Sequence, residues 1–272
     1  VVMITSLNLE DGNEVFRALE LGAVDYTQKP SVTDIEITGP IIKDKIIAAS
    51  RAKVLRSFIA SNEAKLSSRT DTDLNKLIVI GASTGGIEAI KKIICQLPST
   101  IPPILIVQHI PPDFSLAFAN NLNSLCPFLV KEAEDGDEIL AGKVLIAPGN
   151  KQMKIHCSVD GKISVRITND APMNRHRPSV DYLFNSVAEQ LGPLAVGVIL
   201  TGMGRDGAAG LLHLKETGAT TLAQDEESCA VFGMPKAAFE LGAVVKVVNL
   251  DQMAQAILEA VSKPVNNLSK RR

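Results

Sequence analysis

The stretch Gly81-Ala82-Ser83-Thr84-Gly85-Gly86 follows the apolar run Leu77-Ile78-Val79-Ile80 and opens a segment with helical spacing. Its first five residues fit G-x-S-x-G, the pattern of a nucleophile elbow. A serine on so tight a strand-to-helix turn stands proud of a sheet edge. Its small neighbours let the turn close and a substrate approach, and the helix N-terminus behind it favours a developing oxyanion. The chemistry this points to is attack of a hydroxyl on an acyl carbon. A Gly-rich turn of this kind also serves as a phosphate cradle. Here no Lys follows the glycines, so it is not a P-loop, and G-x-G-x-x-G is not matched. The plain structural alternative is a tight turn whose Ser or Thr caps a helix.

A serine nucleophile needs a base, and the chain has 4 histidines. His156 falls in an alternating strand pattern, and His213 lies mid-helix in LLHLK. His176 sits in the basic loop NRHRPS. His109 ends the apolar run PILIVQH and is followed by Ile110, Pro111 and Pro112. The carboxyl end of a strand is where an open parallel sheet puts its site, which makes His109 the best base. Its competing role is a satisfied core histidine. A third group must orient the imidazole and stabilise its charged form. The run VGVIL leads into Thr201-Gly202-Met203-Gly204-Arg205-Asp206-Gly207, again at a strand end, and offers Asp206. Asp181, on a helix, and Asp225, after a shorter strand, are rivals, and capping the next helix is the other role open to Asp206. Ser83, His109 and Asp206 would then meet at one sheet edge.

The elements that must hold them read as strands alternating with helices. Strands are expected at LIVIG, PILIVQH, KVLIAP, AVGVILTG, TTLAQ and AVVKVV. Helices are expected at IEAIKKIICQL, FSLAFANNLNSL, SVDYLFNSVAEQL, GAAGLLHLKETG, PKAAFELG and DQMAQAILEAVS, with Ser179 and Asp251 as caps. MKIHCSV and KISVRIT flank Asp160-Gly161 as a hairpin. This predicts an α/β fold over 76–265: a doubly wound, mostly parallel, Rossmann-like sheet with one β-hairpin. Ahead of it, residues 1–60 read as strand (1–5), helix (13–21), strand (AVDYTQKP), an irregular stretch (31–40) and a helix (41–60), which is half of a doubly wound domain. The polar stretch 61–75 reads as a linker, and 266–272 as a frayed tail.

Composition narrows the function. Net charge is -2 over 272 residues, which gives no general grip on nucleic acid. Hydrophobic residues make up 46% and aromatics 4%, so the core must be aliphatic, as in a covered parallel sheet. No apolar run reaches the roughly 18 residues of a membrane span, and no secretory signal opens the chain. Cys95, Cys126, Cys157 and Cys229 are scattered without a C-x-x-C pair, which argues for buried thiols in a reducing cytoplasm rather than disulfides or zinc.

The blocks GASTGG, VQHIPPDFS, EAEDGDEILAGKVLIAPG, HRPSVDYLF, LTGMGRDGAAG and AQDEESCAVFGMPKAA occur in this order. In them residues 76–261 resemble the chemotaxis-specific protein-glutamate methylesterases of bacteria. The front resembles that family's flavodoxin-like receiver domain, with VVMITS as its fourth strand and LELGAVDYTQKP as its fifth. Thr5 and Lys29 match the receiver's switch hydroxyl and its Lys before Pro, while the phosphoacceptor Asp belongs upstream of Thr5.

The resemblance implies a Ser83-His109-Asp206 triad and oxyanion support from the turn at Met203, to which elbow logic adds the Thr84 backbone N–H. It implies a methylated glutamate on chemoreceptor helices as substrate, glutamate and methanol as products, and deamidation of certain receptor glutamines by the same acyl chemistry. Arg175, His176 and Arg177 are candidate contacts to acidic receptor helices, or simply a solvated basic loop. No metal or organic cofactor is expected for catalysis, and Mg²⁺ only for phosphorylation of an intact receiver by a chemotaxis histidine kinase. A half-receiver buries little surface, so it is expected to be loosely docked, with the enzyme active without a trigger. Three other functions remain open at this point: a small-ester esterase or amidase, a non-catalytic output module, and a nucleotide-binding domain.

Overall fold

The computed structural model describes residues 1–6, 12–30, 35–52 and 72–262. The front segment holds β1 (Val2–Thr5), α1 (Gly12–Glu20), β2 (Asp25–Gln28) and α2 (Ile35–Arg51). The remainder holds β3 (Leu77–Ala82), α3 (Gly86–Gln96), β4 (Ile104–Gln108), α4 (Pro112–Leu125), β5 (Leu129–Glu132), β6 (Lys143–Ile146), β7 (Gln152–Cys157), β8 (Ile163–Thr168) and α5 (Val180–Leu191). It continues with β9 (Ala195–Ile199), α6 (Ala208–Glu216), β10 (Thr220–Gln224), α7 (Met234–Glu240), β11 (Lys246–Val248) and α8 (Leu250–Val261).

Seven strands form one sheet in the order β11-β10-β9-β3-β4-β6-β5. Every neighbouring pair in it is parallel. The aliphatic runs of β3, β4 and β9 are buried along their whole length, as a sheet covered on both faces requires. Alternate residues feed two cores. Ile78, Ile80, Ile104 and Ile106 face a core that includes Ile90, Phe118 and Ile257, from α3, α4 and α8. Leu77, Val79, Leu105 and Val107 face a core with Phe184, Leu211 and Ala238, from α5, α6 and α7. The hairpin β7–β8 is antiparallel and lays Met153, Ile155 and Val165 onto this second core.

The chain leaves β3 to build β4, β6 and β5 on one side, then returns to build β9, β10 and β11 on the other. The carboxyl ends of the adjacent strands β4, β3 and β9 therefore flank the point where strand order reverses, the position at which open α/β sheets form their crevice.

Three expectations need correction, and one strand went unpredicted. The segment 31–40 is not irregular throughout: α2 starts at Ile35 and runs through Pro40, whose ring normally breaks a helix and so hid it. β5, a short edge strand with Leu129 exposed, carries too little apolar pattern to announce itself. Asp251 is not the cap of α8; the Asn249 side chain accepts from the Asp251 N–H. The front segment, finally, is not loosely docked. Val15, Phe16, Leu19 and Tyr26 belong to the same buried core as α3 and α4. Phe16 meets Phe118 with ring centroids 6.1 Å apart, Tyr26 meets Phe114 at 4.9 Å, and Glu20 pairs with Lys91. The front segment is stabilised here by sharing the core of α3 and α4.

The linker's first residues, the end of the second front helix (53–60) and the tail lie outside the described residues. The linker's last residues are tied down, with Asp73 donating its N–H to the Val261 carbonyl.

Deleting the Phe16 ring should release the front segment. A Phe→Ala change at a buried site costs about 3–5 kcal/mol. Phe16→Ala is therefore expected to raise the rate of limited proteolysis within residues 12–52 at least about tenfold, with the 72–262 fragment surviving. Cleavage at the wild-type rate would show that the aromatic contacts do not hold the segment.

Candidate active site

Ser83 lies one residue past β3 on a turn fixed by its neighbours. Its N–H donates to the Thr201 carbonyl at 3.0 Å. Its own carbonyl accepts from the Gly86 N–H at 2.7 Å and from Gln108 Nε2 at 2.9 Å. Gly85 has φ +78°, a left-handed conformation that a side chain would strain, and it serves as the N-cap of α3. At Gly202 an added Cβ would stand 2.7 Å from the Ser83 Cβ, so the β9 turn can approach the serine only as glycine. Thr84 is buried; its hydroxyl donates to Asp25 of the front segment, and its carbonyl accepts from the Thr201 hydroxyl. Asp25 also receives Lys45 Nζ at 2.9 Å, so a buried polar contact of the front segment ends on the residue next to Ser83.

His109 follows β4, its N–H donating to the Ala82 carbonyl at 3.1 Å. Its Nε2 lies 2.8 Å from Asp206 Oδ2. Asp206 is 1% exposed. Its Oδ2 also accepts from the Val180 N–H at 2.7 Å. Its Oδ1 accepts from the Ser179 hydroxyl at 2.7 Å, Asn174 Nδ2 at 2.8 Å and the Asp181 N–H at 3.3 Å. Asp206 does act at a helix N-terminus, but at that of α5 and not that of the helix following it, which Gly207 caps. Burial disfavours its charge. The bonds from His109, Asn174 and Ser179 outweigh burial and hold the carboxyl well below its ordinary range.

An ionised carboxylate can only accept, so His109 Nε2 must carry the proton. Nδ1 is then the basic nitrogen, and among the described residues it is buried without a hydrogen-bond partner. In the familiar triad the Asp meets Nδ1; here Asp206 meets Nε2.

The rival groups are engaged elsewhere. Asp181 accepts from the Gly210 N–H and from Asn174, and burial pushes its carboxyl up. Asp225 accepts from Ser228 and Asn249. His156 is exposed on β7, and His213 lies 3.1 Å from Asn185. Of the basic loop, Arg175 is exposed, and Arg177 binds Asn150 Oδ1 through Nε and Nη2. The His176 ring stacks on His109, its centroid 3.7 Å away. Met203 is half-buried on the turn that carries Asp206. Thr5 and Lys29 lie at the ends of the parallel pair β1–β2, with the Lys29 N–H donating to the Thr5 carbonyl at 2.7 Å.

Sequence reasoning missed Asn174, Gln108 and Gln152. The Gln152 amide accepts from the Ser179 N–H and donates to the carbonyls of Ala171 and His176. Only Ser179 had a signal, as an N-cap; it is one, accepting from the Tyr182 N–H.

The family model described as CheB methylesterase matches residues 78–257. The chain belongs to the CheB methylesterase family. A protein-glutamate methylesterase/protein-glutamine glutaminase of Yersinia pestis bv. Antiqua is 48% identical over 265 residues, covering 96% of this chain and 76% of that protein. Its namesake in Photorhabdus laumondii is 49% identical over 266 residues, with the same coverages. The crystal structure of the Thermotoga maritima CheB methylesterase catalytic domain superposes with a TM-score of 0.66 at 39% identity, covering 68% of this chain and 97% of that one.

The depressed Asp206 carboxyl makes a stability prediction. Its charge contributes stability that is complete above the unfolded carboxylate value of about 3.9 and is lost as pH falls through the lower folded value. The difference in unfolding free energy between wild type and Asp206→Asn, measured in urea, should therefore shrink as pH is lowered from about 5 towards 2. A difference independent of pH would mean that the carboxylate is not ionised in the fold.

Proposed function

We infer that this chain is a serine hydrolase that removes the methyl ester from glutamate side chains of bacterial chemoreceptors, releasing glutamate and methanol, and that it deamidates receptor glutamines. The observation carrying this reading is the buried His109–Asp206 pair, which shares a crevice at adjacent strand ends with Ser83, in a chain 48% identical to enzymes named for both reactions.

Ser83 Oγ attacks the side-chain carbonyl while its proton passes to His109 Nδ1. Asp206, already charged and fully hydrogen-bonded, stabilises the imidazolium without taking a proton. The oxyanion forms beside the N-terminus of α3, where the Thr84 N–H and the turn at Met203 are the donors we assign. The tetrahedral intermediate collapses, the ester C–O bond breaks, and the proton on Nδ1 goes to the leaving methanol. Water then enters, gives a proton to Nδ1, and its oxygen attacks the acyl-enzyme. Collapse of the second intermediate returns that proton to Ser83 and frees glutamate. Ammonia takes methanol's place when the substrate is glutamine.

The supply of nucleophile, base and oxyanion donors from the chain itself argues that catalysis runs without a metal or organic cofactor. Among the described residues no helix is long and apolar enough to cross a membrane; the reading puts the protein in the cytoplasm, facing receptor helices. Residues 76–265 form the catalytic domain in this reading, and 1–60 the receiver part. The adjacent strand ends at Thr5 and Lys29 support that assignment, through which a histidine kinase and Mg²⁺ would act.

Methanol release from methylated receptor tests the reading. Ser83→Ala and His109→Ala should each lose roughly 10⁴- to 10⁶-fold in turnover, and Asp206→Asn about 10⁴-fold. Retention of near-normal turnover by Asp206→Asn would leave Asp206 as a helix anchor and overturn the triad. Hydrolysis of small esters with no release from receptor would instead make the chain a generic esterase. Exhaustive dialysis against a chelator should leave the rate unchanged, and loss of activity restored by zinc would contradict cofactor-free catalysis.

A further inference from the structure

The loop Met173–His176 reaches both members of the His109–Asp206 pair. The N–H of His176 donates to the Met173 carbonyl at 2.8 Å and the N–H of Met173 to the His176 carbonyl at 3.1 Å, closing a tight turn. Asn174 and Arg175 sit in it at φ 53° and 68°, in the left-handed region that Asn adopts readily and Arg rarely. Asn174 uses the turn to bring its amide to Asp206. Gln152 Nε2 pins the turn's far end by donating to the His176 carbonyl at 3.2 Å.

What the turn delivers is the His176 ring, which lies over the His109 imidazole with centroids 3.7 Å apart and planes 9° from parallel. Among the described residues the His109 ring makes one side-chain hydrogen bond, from Nε2 to Asp206, and its Nδ1 has no partner. A flat ring stacked on one face adds a second constraint, on the plane of the imidazole. Burial, reinforced by the neighbouring His109, pushes the His176 imidazole down to about 4, so the stacked partner is neutral at working pH.

We propose that His176 is a positioning residue for the established family reaction: by stacking on His109 it fixes the plane of the base, so that Nδ1 is aimed at the Ser83 hydroxyl. This rests on the triad reading above and replaces the role of substrate contact for His176.

Two measurements test it on the whole chain, with His176→Ala and His176→Phe. The first is the rate at which a small fluorophosphonate labels Ser83, which reads activation of the serine without any receptor. The second is the split between kcat and KM on methylated receptor. His176→Ala should lower both the labelling rate and kcat roughly 10- to 100-fold, the cost of a misplaced catalytic group, with KM little changed. His176→Phe keeps a flat ring on the same side chain axis and should recover most of the loss, which a merely structural defect would not do.

A His176→Ala protein that labels at the wild-type rate, or that shows a raised KM with unchanged kcat, overturns the proposal and returns His176 to the substrate surface. Equal losses in both variants overturn it as well. A wild-type protein whose Ser83 does not label defeats the triad reading itself, which the variants alone would not.

Discussion

One buried carboxylate organises this site. Asp206 is almost completely excluded from water, yet it stays charged because His109, Ser179, Asn174 and two amide N–H groups at the start of α5 all donate to it. An unpaired buried charge would be strongly destabilising, so each donor is in effect required. The consequence runs outward. Because Asp206 can only accept, the His109 proton lies on Nε2 and Nδ1 is left as the basic nitrogen. Because Asp206 binds the N-terminus of α5, the β9 turn is locked to the helix packed across the second core.

The sheet supplies the rest. Three fully buried parallel strands end side by side, and the turns that follow them carry Ser83, His109 and Asp206. Precision comes from backbone bonds between the turns: Ser83 to Thr201, His109 to Ala82, and Leu200 to Gly81. Glycine is needed where these turns press together, at Gly85 for its dihedral and at Gly202 for its lack of a side chain against Ser83. The front segment adds a buried polar contact from Asp25 to Thr84, so its docking ends on the residue beside Ser83.

The sequence made the alternation of aliphatic strands with amphipathic helices legible, because parallel strands buried on both faces leave unbroken runs such as LIVI and ILIV. It made Ser83, His109 and Asp206 legible, because each stands where such a run meets a turn. It hid what depends on contacts between distant segments. Asn174 is an ordinary loop residue until a left-handed turn carries its amide to Asp206, and His176 is one more basic-loop side chain until its ring lies on His109. The docking of the front segment was hidden for the same reason: Phe16 and Tyr26 find their aromatic partners in α4, far along the chain. Pro40 concealed a helix start by a local rule that the rest of α2 overrides.

The proposed chemistry depends on which His109 nitrogen carries the proton. Nitrogen NMR of the protein labelled in its histidine rings, at neutral pH and without substrate, reads that directly. The account predicts His109 as the Nε2-protonated tautomer, with a hydrogen-bonded proton shared towards Asp206 and an unprotonated Nδ1. A resting enzyme with the proton on Nδ1 would contradict it, for then Asp206 would face a lone pair, and the carboxylate could not hold both its charge and its partner.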